Sequence, residues 1–185
     1  MDESIFRSVN KLNILFLDID EVLNCTDKNK LHKEVMFLGE NTHDRFSPDL
    51  MTNINNLIAR YNMKVVISST WRKLFDFITL TDILQNQMGL VGEVIDCTTT
   101  YYLDIDYRAR YEDDPTAMSR DRGLQITRWL KERKYNVSNY LVIDDSLDAS
   151  YGHESNYHRT FGNRGFDLES YNECINKFDS LCMEK

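Results

Sequence analysis

The chain has 185 residues, 42% hydrophobic and 28% charged, with a formal net charge of −8. That size and mixture suit one globular domain spanning residues 1–185, and they exclude a disordered or fibrous chain. No apolar stretch approaches the roughly 18 residues of a membrane span. The acidic balance argues mildly against non-specific nucleic-acid binding, which relies on basic surface. The charges are uneven: Asp104, Asp106, Glu112, Asp113 and Asp114 share one segment, while Arg120, Arg122, Arg128, Lys131, Arg133 and Lys134 form a basic stretch. The segment from Met1 to Ser4 lacks the basic-then-apolar layout of a signal peptide. Cys25, Cys97, Cys174 and Cys182 show no paired metal spacing. Together these features predict an intracellular, cytoplasmic protein with free thiols, no membrane partner and no evident obligate protein partner.

The first predicted element is the apolar run Asn13 to Leu17, too short for a helix and read as a buried parallel strand. It ends in Asp18 and Asp20, at the strand end where open α/β sheets place their ligand crevice. Residues 25–46 are polar and mixed, an irregular excursion with Phe37 and Leu38 as its strongest apolar pair. A helix then starts at Ser47 (N-cap) and Pro48, with Leu50, Ile54, Leu57, Ile58 and Tyr61 at helical spacing. Lys64 to Ile67 is the second strand, ending in Ser68, Ser69, Thr70, Trp71 and Arg72. A helical region runs to about Met88, where Gly89 suits its stop. Val91 to Ile95 is the third strand, and residues 99–118 are the least regular segment. Arg122 to Arg133 reads as a helix with Ile126, Trp129 and Leu130 inward. Tyr140 to Ile143 is the fourth strand, ending in Asp144, Asp145 and Asp148. The last helix, from about Asp167, puts Leu168, Tyr171, Ile175, Phe178 and Leu181 on one face.

Strands alternating with helices predict an α/β fold: a doubly wound, Rossmann-like domain with a mostly parallel central sheet. In such a sheet the polar clusters at Asp18/Asp20, Ser68/Ser69 and Asp144/Asp145 come to one edge. Carboxylates from adjacent strand ends make a hard oxygen site that suits Mg²⁺. A hydroxyl and a guanidinium beside them complete a phosphate cradle. This convergence points to phosphoryl transfer. A carboxylate attacking a phosphate monoester gives an acyl phosphate and splits one hard hydrolysis into two easier steps.

The same residues, in the same order, resemble the haloacid dehalogenase-like phosphohydrolase superfamily. Its Asp-x-Asp-x-(Thr/Val) motif is matched by Asp18, Asp20 and Val22, its strand-end Ser or Thr by Ser68, its helical cation by Arg122 and its acidic pair by Asp144 and Asp145. The stretches Val66 to Arg72, Arg122 to Leu130 and Ile143 to Asp148 are most similar to small modules associated with RNA-repair proteins. Glu21 departs from that subgroup, which carries Gly there. The resemblance implies Asp18 as nucleophile, Asp20 as general acid and base, Ser68 as a hydrogen-bond donor to the phosphoryl group and Arg122 as the steadying cation, with Arg120 as the competing candidate. It implies Mg²⁺ on Asp18, the Asp20 carbonyl and Asp144, supported by Asp145. Ser69, Trp71 and Arg72 are candidate substrate contacts beside the crevice.

Superfamily members often close the site with a cap domain. Here the interval before Ser47 is too short for one, which leaves short flap insertions in its place. An open site admits the end of a polymer, so a nucleotide or a phosphorylated nucleic-acid end is the first expected substrate. A phosphoprotein or a small phosphometabolite is the alternative, and a non-catalytic phosphate- or metal-binding module is the third reading. Asp104 and Asp106 repeat the Asp-x-Asp pattern without a buried strand before them and read as a solvated loop. The neighbouring Tyr101, Tyr102, Tyr107 and Tyr111 stack on a base or simply pack. His32, His43, His153 and His158 lack metal-ligand spacing and take surface or core roles.

Overall fold

The structure, a computed structural model, describes residues 11–25, 33–34, 45–99 and 121–183. Its central strand is β1 (Leu12–Leu17), in which Ile14, Leu15, Phe16 and Leu17 are at most 1% exposed. A strand apolar on both faces needs cover on both. The chain supplies it by winding helices over each side. The remaining elements are β2 (Lys33–Glu34), β3 (Arg45–Phe46), α1 (Pro48–Tyr61), β4 (Met63–Ile67), α2 (Phe77–Asp82), β5 (Val94–Cys97), α3 (Asp121–Glu132), β6 (Val137–Asp144), β7 (Tyr157–Arg159) and α4 (Leu168–Met183).

The main sheet has the order β5-β4-β1-β6-β7, and every neighbouring pair is parallel. β2 and β3 form a separate antiparallel pair. On one face Leu15, Leu17, Val65 and Ile67 pack with Leu57 of α1, Leu80 of α2 and Phe178 of α4. On the other, Ile14, Phe16, Val66 and Val142 pack with Ile126 and Trp129 of α3. The result is the expected doubly wound α/β architecture, with a fully parallel central sheet.

The carboxyl edge is continued beyond the strands by backbone bonds. Asp18 donates to Ile143 (3.0 Å), Ser68 to Leu17 (2.8 Å), Thr98 to Ile67 (2.9 Å) and Thr160 to Asp144 (3.1 Å). The three polar strand ends therefore start from a rigid, aligned rim. Because β4, β1 and β6 are consecutive in the sheet, those clusters are side by side.

Several expectations shift. The third strand lies at Val94–Cys97 rather than 91–95, because Val91 is 79% exposed and belongs to the turn. A fifth strand, β7, was not expected from its three mixed residues; it pairs Tyr157, His158 and Arg159 with Val142, Ile143 and Asp144. Leu168 does not join the inward face of α4: it occupies the first turn and is 63% exposed. Ser47 holds the N-cap position of α1 without a side-chain cap bond, so Pro48 carries the start signal. Gly89 takes φ +82°, the left-handed turn that ends the helical region. Cys25, Cys97, Cys174 and Cys182 form no disulfide among the described residues. Among the described residues no helix is long and apolar enough to cross a membrane. Most of the excursion at 25–46, the Asp104/Asp106 segment with its tyrosines, Arg120, His32 and His43 lie outside the described residues.

Candidate active site

Asp18 follows β1 directly and is almost wholly buried. Its backbone is held by the Ile143 carbonyl, and its Oδ1 accepts the Ile19 N–H at 2.8 Å. Asp144 ends β6, is fully buried, and its Oδ1 accepts the Ser146 N–H at 2.9 Å. One guanidinium joins the two. Arg122 Nη1 donates to Asp18 Oδ2 at 2.5 Å and to Asp144 Oδ2 at 2.6 Å. Burial pushes the Asp18 carboxyl above its ordinary range, while Arg122, Ile19 and Ser69 pull it back. Asp144 is raised further, by burial and by the Asp18 charge. Burial would lower the Arg122 pKa, but the two carboxylates outweigh it and raise it, so its charge is secure.

Arg122 reaches this position because α3 starts close to the turn after β6. Asp148 Oδ2 accepts the Arg122 backbone N–H at 3.3 Å, satisfying one free donor of the helix start. Gly123 is what permits the approach: a Cβ there would lie 2.4 Å from the Tyr151 carbonyl oxygen and 3.0 Å from that of Asp148. The Arg-Gly pair thus acts as one unit, Gly for the contact and Arg for the charge.

Asp20 is held apart from that cluster. Trp71 Nε1–H donates to both of its oxygens, at 3.1 and 3.0 Å, and Asn24 Nδ2 donates at 3.3 Å. Asn24 also accepts the Glu21 N–H at 2.6 Å, closing a tight loop in which Glu21 takes φ +57°. A glycine is the natural residue for that conformation, and the chain carries Glu there instead. Burial and the neighbouring Asp18 raise the Asp20 pKa, while Asn24 and Trp71 oppose the shift. A carboxyl held between these influences can carry a proton and release it.

Of the β4-end residues, Ser69 is hydrogen-bonded to Asp18, and its Oγ accepts the Trp71 N–H at 3.4 Å. Ser68 Oγ is buried and has no partner among the described residues. Trp71 is 5% exposed, edge-on to Phe46, and touches Asp20 rather than opening to the crevice. Arg72 donates to the Ser69 carbonyl and to Gln125 Oε1, and Gln125 Nε2 donates to Asp121 at 2.9 Å. Arg72 thereby links the end of β4 to α3. Gln125 and Asn24 were not anticipated: each is an ordinary polar residue at a helical or turn position, with no motif to mark it.

Asp18, Asp144 and Asp145 each offer an oxygen, all within 4.8 Å of one another. The Asp145 pKa is raised by burial and by the Glu21 carboxylate. Three converging carboxylates and one bridging guanidinium leave excess negative charge in a desolvated place, which is costly unless a cation shares it. Hard oxygen donors at such a spacing fit Mg²⁺. The carboxyl of Asp20 is not in this group, being occupied by Trp71 and Asn24.

The comparisons with known proteins agree with this geometry. The model of the HAD (haloacid dehalogenase-like) domain found in Swiss Army Knife RNA repair proteins matches residues 14–170, and the chain belongs to that family. The match spans β1 through the first turn of α4, including every strand end described above. No curated protein and no solved structure matches the chain.

Proposed function

We propose that this HAD-family chain is a Mg²⁺-dependent phosphomonoesterase that works through an aspartyl-phosphate and accepts a phosphorylated nucleotide or nucleic-acid end. One observation carries the reading: a single guanidinium binds two buried aspartates while a third aspartate, with a raised pKa, is held apart by Trp71 and Asn24. That division is what nucleophilic attack with separate proton transfer requires.

In the first step an Asp18 oxygen attacks phosphorus, the bond to the leaving oxygen breaks, and Asp20 gives that oxygen its proton. In the second, water attacks the phosphorus of the acyl phosphate and Asp20 takes the proton back. Inorganic phosphate leaves and the Asp18 carboxylate is restored. Arg122, already on Asp18, offsets the charge of the approaching phosphate and steadies the nucleophile. Ser68 Oγ, without a partner among the described residues, is available to donate to a phosphoryl oxygen. Mg²⁺, held by Asp18, Asp144 and Asp145, would supply further neutralisation of the phosphate. The RNA-repair association of the family supports the nucleic-acid part of the reading.

The test is phosphate release in Mg²⁺ from 3′- and 5′-phosphorylated oligonucleotides, mononucleotides, phosphopeptides and sugar phosphates. The expected result is turnover that chelator abolishes and that is fastest on an oligonucleotide end. A phosphopeptide or sugar phosphate turned over faster replaces the substrate. Absence of release from every substrate makes the chain a binding module.

A further inference from the structure

Beside the catalytic rim, the turn after β7 carries an aromatic residue that the fold displays rather than buries. Phe161 is 51% exposed, with the Arg159 guanidinium 5.4 Å and the Arg164 guanidinium 5.8 Å from its ring centre. The two arginines differ. Arg164 is tied to Asp167 (3.4 Å) and Glu169 (2.6 Å), so it supports the ring while its charge is spent locally. Arg159 uses only Nε, on the Asp145 carbonyl at 3.0 Å. Its terminal nitrogens have no hydrogen bond or ion pair among the described residues.

The turn is rigid and begins at the active site. Arg159 is the register partner of Asp144, and the next residue, Thr160, donates to the Asp144 carbonyl. Phe161 closes the turn by accepting from Arg164 (2.8 Å) and Gly165 (2.9 Å). Gly165, at φ +62°, lets Phe166 donate to the Val22 carbonyl at 2.9 Å, which ties the turn to the catalytic loop. The Glu21 carboxylate sits on Gly162, so close that a Cβ there would lie 2.3 Å from its oxygen. One face of the turn therefore meets the catalytic loop, and the ring with its unspent cation is left to solvent.

From this geometry we infer that Arg159 and Phe161 form a nucleotide subsite, in which the base next to the phosphorylated end stacks on Phe161 and a backbone phosphate meets Arg159. The inference rests on the nucleic-acid reading above and names the part of the surface that would implement it. An aromatic face accepts any base, and a flanking guanidinium supplies both charge and a second stacking plane. A preformed turn loses little freedom on binding, so the contact is not offset by ordering. The nearby Glu21 and Asp145 oppose a strand backbone, which makes Arg159 the group that permits its approach.

The experiment compares wild type, Phe161→Ala, Phe161→Tyr and Arg159→Gln as full chains in Mg²⁺. Two quantities are read: kcat/KM for a 3′- or 5′-phosphorylated oligonucleotide relative to acetyl phosphate, which has no ring to stack, and oligonucleotide affinity by anisotropy in an Asp18→Asn background. Phe161→Ala should lower the rate ratio and the affinity by about tenfold or more, and Phe161→Tyr should keep both. Arg159→Gln should reduce the salt slope of affinity by ~0.7. Unchanged affinity in both Phe161→Ala and Arg159→Gln overturns the subsite, while hydrolysis of acetyl phosphate leaves the phosphatase reading standing. A wild type that binds and turns over oligonucleotides no better than mononucleotides also overturns it. Failure to hydrolyse any substrate sinks the catalytic reading, yet a Phe161-dependent affinity would still uphold the subsite. A phosphopeptide whose turnover falls with Phe161→Ala while oligonucleotide turnover does not overturns the ligand class.

Discussion

Consecutive residues of α3 anchor two polar clusters that obey opposite rules. At Arg122 the cluster is charged: Asp18 and Asp144 share one guanidinium, Asp145 offers an oxygen within 4.8 Å of theirs, and Ser68 Oγ at the neighbouring strand end has no partner among the described residues. At Gly123 the cluster is neutral and closed. The Gly123 carbonyl lies 2.9 Å from His153 Nε2, Thr127 Oγ1 lies 3.0 Å from the same nitrogen, and Tyr140 OH lies 2.9 Å from Nδ1. A carbonyl only accepts, so Nε2 carries the proton and Nδ1 accepts from Tyr140. Burial lowers the His153 pKa and keeps the ring uncharged. The closed cluster specifies packing. The open one holds charge and a donor in reserve, which is the condition expected of a site awaiting a phosphate.

The largest test removes the nucleophile from the open cluster. Asp18→Asn should lower kcat by about a thousandfold or more while preserving the fold, because an amide keeps the shape but cannot form the acyl phosphate. The thermal midpoint should hold or rise, since a buried charge is removed. A variant retaining more than about a tenth of wild-type kcat breaks the covalent assignment.

Arg122→Met should show that the same cluster depends on its shared cation. It leaves Asp18 and Asp144 desolvated without a cation, a loss of about 3–5 kcal/mol at neutral pH. Both carboxyls already have folded-state pKa values raised above 3.8, chiefly by burial. The folded state therefore binds their protons more tightly than the unfolded chain does. Their contribution is fully present below the unfolded value and is lost as pH rises through the raised ones. The Arg122→Met deficit should accordingly shrink as pH falls from 7 towards 4. Denaturant unfolding across that range measures it, and a deficit independent of pH would contradict this electrostatic origin.

The closed cluster should respond with the opposite sign. His153→Phe leaves the Gly123 carbonyl and Tyr140 hydroxyl without their partner, a cost of about 1–3 kcal/mol. His153 has a lowered pKa, so its stability contribution is present above 6.5 and falls as the unfolded chain takes up a proton that the folded state refuses. His158, pushed down to about 4 by burial, adds the same trend between 6.5 and 4. The wild type should thus lose stability over that window through its histidines, and His153→Phe should flatten part of the loss. Thermal midpoints at pH 7 and 5 decide this, and an unchanged slope removes His153 from the account.

The open cluster was more legible in the sequence than the closed one, for a physical reason. An apolar run that ends abruptly in polar residues is a local signal, and three such ends, two acidic and one of serines, pointed Asp18, Ser68 and Asp144 to one edge, while Arg122 followed from the family resemblance. The His153 network joins α3, β6 and the turn before β7, a pairing no local pattern encodes. β7 is three residues long and depends on the ladder with β6 for its shape, so its sequence carries no strand signal. Leu168 has the helical spacing of an inward residue, yet at the start of α4 its own side chain faces solvent. Trp71 was visible as a residue near the crevice, but its direction was not. Only the fold turns its N–H onto Asp20.

That direction yields the smallest and most specific test, at the border between the two kinds of cluster. Trp71 is buried like a structural residue, but its polar atom serves the proposed acid and base. Trp71→Phe keeps an aromatic ring against Phe46 while removing the N–H donor together with part of the buried indole. A hydrogen bond to a carboxylate favours the charged form, so losing it should raise the Asp20 pKa further. In the first step Asp20 acts protonated, and the limb of the kcat profile that reports this acid should move to higher pH. Its orientation should also loosen, lowering kcat by about tenfold, or 1.4 kcal/mol of barrier, with little change in KM. A purely structural role would lower stability and leave the limb in place. If Trp71 instead touches substrate, KM rises and the limb stays, and the residue returns to the substrate-contact role suggested by its position in the sequence.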